Sequence, residues 1–68
     1  MSKHILVNRN TAQALKVDDD DNCTEVAREM ATTWTCKGDA ESARYFMESE
    51  KMIAGGRYQA EPLTGTPQ

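Results

Sequence analysis

The chain has little of what catalysis, metal binding or membrane insertion requires. It holds a single histidine, two cysteines with no Cys-x-x-Cys spacing, and no glycine-rich loop. No nucleophile stands beside a base, and no backbone cradle for phosphate is in view. At 68 residues the chain is also short for enclosing a cleft. The sequence therefore predicts a protein that is not an enzyme and carries no cofactor. No run of apolar side chains exceeds three residues. A signal peptide needs an apolar stretch of about 7–15 residues and a membrane helix about 20. Met1-Ser2-Lys3-His4 leads only into Ile5-Leu6-Val7, so we expect no membrane partner and a cytoplasmic location.

A basic stripe is missing as well. Eight Lys or Arg face eleven Asp or Glu, for a formal charge of −3, and four of the acids are consecutive at Asp18 to Asp21. Phosphate-backbone binding depends on Lys and Arg releasing counterions, so the balance disfavours nucleic acid.

What is present is an apolar pattern between Asn22 and Gly56. On a wheel of 100° per residue, Cys23, Val26, Ala27, Met30, Ala31 and Trp34 share one side, opposite Glu25, Arg28, Glu29 and Thr32. Ala40, Ala43, Phe46, Met47, Ile53 and Ala54 repeat the scheme. Asn22 with Glu25 has capping-box spacing, the preceding acids suit a helix N-terminus, Lys37-Gly38-Asp39 reads as a turn, and Gly55-Gly56 as a stop. Helices are therefore expected over 23–36 and 40–54, closing on each other as an antiparallel hairpin. In that arrangement the thirteen steps from Cys23 to Cys36 separate their Cα atoms by about 20 Å. A disulfide tolerates about 7 Å, so both cysteines should be thiols.

Lys3 to Asn8 reads as a strand ending in the turn chemistry of Asn8-Arg9-Asn10-Thr11. Ala12 to Val17 reads as its hairpin partner, or alternatively as a single helical turn capped by Thr11. The expected fold is thus α+β: a short N-terminal β-hairpin (3–17) packed on an antiparallel two-helix hairpin, one domain over 1–56, with 57–68 a flexible C-terminal tail or a short added strand.

Two metal patterns are weak. Asp18, Asp20, Asn22, Thr24, Val26 and Glu29 fall on the ligand positions of a calcium loop, but Cys23 stands where that loop needs glycine for its bend. His4, Cys23 and Cys36 lack zinc-site spacing. No metal is expected. The partner-binding residues singled out are Tyr45, Ser49 and Met52, which a helix over 40–54 would place opposite the core stripe. Glu50, by contrast, would fall within the stripe and need solvent, a cation such as Lys16 or Arg44, or a symmetry mate.

A domain this small has a thin core and commonly needs a staple or an oligomer. The reading is a small acidic non-catalytic accessory or inhibitor module, of phage or mobile-element type by size alone, that binds another protein or a second copy of itself. The alternative is a helix-turn-helix DNA-binding regulator, drawn from Thr24-Glu25-Val26-Ala27-Arg28 before a glycine-containing turn.

Overall fold

The computed structural model describes residues 3–20 and 22–63. Among these, β1 (His4–Asn8), β2 (Ala14–Val17) and β3 (Cys23–Val26) are followed by a 3₁₀ turn (Arg28–Met30), the helix α1 (Lys37–Ser49) and β4 (Tyr58–Pro62). The strands form one antiparallel sheet in the order β3-β2-β1-β4. The fold is α+β but mostly sheet, and the expected two-helix hairpin is not formed.

The chain departs from the expected helix at residue 23. Cys23 to Val26 pairs with β2 in the register Val17↔Cys23 to Ala14↔Val26, so Asp18 to Asp20 lie in the connection of a β-hairpin and not in a helix cap, while Asp21 lies outside the described residues. Within that turn Asp18 Oδ1 accepts from the amides of Asp20 and Asn22, each at 2.9 Å. The supposed first helix also draws on Thr32, Thr33, Trp34, Thr35 and Cys36, all from the weaker half of the helix scale. An apolar stripe without helix formers did not suffice.

The sheet is covered on both faces. α1 lies on one, where Leu6, Leu15, Ala40, Met47 and Tyr58 form the core and Val17, Cys23, Trp34, Ala43, Met52, Ile53 and Ala60 pack around them. Ile5, Val7 and Ala14 face the other way, against Ala31 and Leu63. Three consecutive residues of β1, Ile5, Leu6 and Val7, are therefore buried although successive side chains point to opposite faces. The segment after β3 closes this second face. From it Arg28 reaches Glu61 Oε1 at 3.2 Å and the Pro62 carbonyl at 3.0 Å, instead of lying on the polar side of a helix.

The same segment then changes faces. Ala31 packs against the cluster of Ile5, Val7 and Ala14, and Trp34 against the one that holds Leu6 and Leu15. Between them Thr32 N donates to Leu15 O (3.3 Å), while His4 and Trp34 exchange both backbone bonds at 2.8 Å. β1 and β2 pair at Val7↔Ala14 and then diverge, and residues 32–34 fill the gap between them. Because His4 turns its backbone groups toward Trp34, the His4↔Pro62 pair makes no ladder bond, which suits a proline without an N–H. β4 pairs with β1 along its whole length, which replaces the flexible tail by an edge strand up to Pro62. Residues 64–68 of the expected tail lie outside the described residues.

α1 begins at Lys37, with Cys36 as its cap: Cys36 Sγ accepts from the Asp39 amide at 3.4 Å. It ends at Ser49, short of the expected residue 54, because Lys51 adopts φ 62°. Lys51 N then donates to Glu48 O (3.1 Å) and Met52 N to Met47 O (2.9 Å). These are the two bonds of a Schellman stop, and Met47 and Met52 join the same apolar cluster.

Candidate functional site

Beside α1 runs an apolar groove of about 290 Å³. Its strand wall is Val17 with Thr32, and its helix wall Ala43 with Phe46. Trp34, Met47 and Met52 complete the lining, and of these Met47 is buried while Trp34 is half-buried. The groove follows from the chain path: β1 and β2 pair only at Val7↔Ala14, residues 32–34 bond into the gap between them, and the side chains α1 turns to the core include the small Ala40 and Ala43. Phe46, expected in the core, instead stands at the rim with 58 % of its surface exposed.

The structure does not assemble the predicted partner-binding residues into one strip. Tyr45 is 72 % exposed on the outside of α1, and Ser49 is exposed with its hydroxyl donating to Phe46 O at 2.9 Å. Met52 is carried by the stop at Lys51 to the core side and lines the groove with Phe46. Glu50 is exposed just past the helix end, while Arg44 pairs with Glu41 (2.6 Å) and Glu48 (3.0 Å) on the other flank. Phe46 was missed because the wheel was centred with it. Centring on Ala40, Ala43 and Met47 alone, spaced for close packing, would have put Phe46 on the flank.

At one end of the sheet a polar network crosses the strands. Glu25 accepts from Asn8 Nδ2 at 2.6 Å, Tyr58 OH at 2.9 Å and Thr11 Oγ1 at 3.2 Å. Asn8 is almost fully buried, and its Oδ1 accepts the amides of Asn10 and Thr11 in the β1–β2 turn. The hydrogen bond from Asn8, then that from Tyr58, holds the Glu25 carboxyl below the usual range. Burial first, and then the bond to Glu25, pushes the Tyr58 phenol up. Asp18 is likewise lowered, chiefly by the Asn22 amide. Each shifted group is accounted for by a contact that builds the fold.

Of the metal patterns, Asp18 is committed to its own turn, Thr24 and Val26 lie in β3, and Glu29 in the 3₁₀ turn. His4 sits in β1, Cys23 packs its Sγ 3.9 Å from Met47 Sδ, and Cys36 is exposed at the start of α1. Among the described residues no cluster of three His, Cys, Asp or Glu could hold a metal ion. No disulfide joins Cys23 to Cys36, although the helical separation expected between them does not exist. No helix among the described residues is long and apolar enough to cross a membrane. Comparisons with protein-family models, curated proteins and solved structures find no match for this chain.

Proposed function

We propose that this protein is a small, non-catalytic protein-binding module of accessory or inhibitor type, and that it receives its partner in the groove beside Phe46. The observation that carries the reading is Phe46 itself: a phenylalanine mostly exposed at the rim of a concave apolar surface. A lone exposed apolar side chain is ordinary, but an aromatic beside an apolar hollow has the make-up of an interface core. Strand at Cys23–Val26 leaves no first helix for a helix-turn-helix. A reducing, cytoplasmic setting suits the exposed Cys36 thiol, which an oxidising compartment would put at risk of intermolecular disulfides.

The test is capture of partners from cell lysate on immobilised protein, wild type against Phe46→Ser. Phe46 is too exposed for its loss to unfold the domain, so the variant should melt as wild type does and lose the captured protein. An equally melting variant that captures the same protein as before would rule out the groove. Sedimentation equilibrium of both forms reports whether the partner is a second copy.

A further inference from the structure

We infer that the groove beside Phe46 takes a segment of a foreign protein in which a bulky apolar side chain is flanked by Lys or Arg. This rests on the protein-binding reading above and adds the chemistry of the partner. The apolar part follows from the lining, where Trp34, Phe46, Met47 and Met52 offer aromatic and thioether surface that adapts to an inserted side chain. The basic part follows from what borders the groove. The strand wall runs from Val17 straight into the exposed carboxylates of Asp18, Asp19 and Asp20. On the helix wall, at 100° per residue, Asp39, Ala43, Phe46 and Glu50 fall within about 60° of one another, so carboxylates stand at both ends of the apolar stretch. The cations of α1, Lys37 and Arg44, fall on the opposite flank at 100° per residue, and Arg44 is tied to Glu41 and Glu48. Lys51, next to Glu50, and Lys16, beside Val17, are outnumbered by Asp18, Asp19, Asp20, Asp39 and Glu50.

The same charges argue against a second copy as occupant. A two-fold dimer through this face would bring a surface against itself, so Asp18–Asp20 and Glu50 would meet the same acids from the other chain. Like charges facing across an interface disfavour that pairing, whereas a basic segment is attracted.

Trp34 is the sole tryptophan and lines the groove, so its fluorescence reports occupancy. The probe is a short peptide with a central Leu-Phe pair flanked on both sides by lysines, titrated against a counterpart in which glutamates replace the lysines. Saturable quenching or blue shift is expected with the lysine peptide, about tenfold tighter than with the glutamate peptide at low salt, the two converging near 1 M salt, where the Debye length is about 3 Å. An Asp19→Asn, Asp20→Asn, Glu50→Gln variant should narrow the gap between the peptides, and Phe46→Ser should abolish both responses. The inference is overturned if the lysine peptide gives no saturable response, if both peptides bind equally at low salt, or if wild type dimerises and Phe46→Ser does not. Should a captured partner depend on Phe46 yet bind the charge-neutralised variant as tightly as wild type, the basic segment is wrong while the protein-binding reading stands.

Discussion

At the scale of single residues, Thr32 does the work of a missing strand. Where β1 has diverged, Val17 N donates to Thr32 Oγ1 at 2.8 Å and Thr32 Oγ1 donates to Val17 O at 3.3 Å. One hydroxyl thus satisfies both backbone groups of a half-buried strand residue. Thr32→Val preserves shape and removes the hydroxyl, leaving both groups without that partner at a cost of about 1–3 kcal/mol. For a domain this size each kcal/mol lowers the melting temperature by about 4–8 °C. Thr32→Ser, which keeps the oxygen, should stay much closer to wild type. A thermal melt of the three proteins decides it: equal stability of the valine variant would mean that water replaces the hydroxyl. Nothing in the sequence marks Thr32 for this part, because the role exists only once residues 32–34 lie between two strands.

At the scale of elements, the end of α1 sets which side chains line the groove. Lys51 holds the left-handed position that the Schellman stop requires, at φ 62°, where glycine is the favoured residue. The left-handed conformation costs a non-glycine residue about 1–2 kcal/mol, and glycine's extra unfolded-state entropy returns about 0.5–1 of that. Lys51→Gly should therefore stabilise the protein, by up to about 1.5 kcal/mol, visible as a raised denaturation midpoint at unchanged slope. A lower midpoint would mean that the lysine side chain makes a compensating contact. The absence of glycine at 51 is also why the stop was unreadable. Gly55-Gly56 offered a stronger signal, and the five residues it added beyond Ser49 carried Met52 around the wheel to the side of Tyr45. β1, by contrast, was legible: Ile5, Leu6 and Val7 lie between strand-like flanks and a turn at Asn8-Arg9-Asn10-Thr11. β3 was not, since four residues suit a period of 2 or 3.6 almost equally and the preceding acids serve a helix cap or a hairpin turn alike. The helix formers that would have settled the matter, missing from Thr32 to Cys36, were the better guide.

At the scale of the whole molecule, the network on Glu25 joins β1, the β1–β2 turn, β3 and β4 at one end of the sheet, and it makes stability depend on pH in two directions. Glu25 titrates lower in the folded protein than in the unfolded chain, because Asn8, Tyr58 and Thr11 all donate to its carboxylate. Its contribution is present above the ordinary carboxylate pKa of about 4.3 and is lost as pH falls through the lowered folded value. Tyr58 titrates higher when folded, since burial and the bond to Glu25 favour the neutral phenol. Its contribution is present below the ordinary tyrosine pKa of about 10 and is lost as pH rises through the raised folded value. Both groups are therefore in their stabilising forms across the neutral range. Asp18, lowered by its turn amides, adds to the acid side, so the bare pH profile of wild type does not isolate the network. Differences between variants do. Glu25→Gln should be less stable than wild type at neutral pH, and the gap should close in acid, where Glu25 becomes protonated. Tyr58→Phe should also be less stable at neutral pH, with its gap closing only in strong alkali. The double variant should lose less than the sum of the two, because one hydrogen bond is counted in both single losses. Melting temperatures of the four proteins across the pH range check all three expectations, and a Glu25→Gln gap that stays constant into acid would show that the carboxylate charge contributes nothing to holding the strands together.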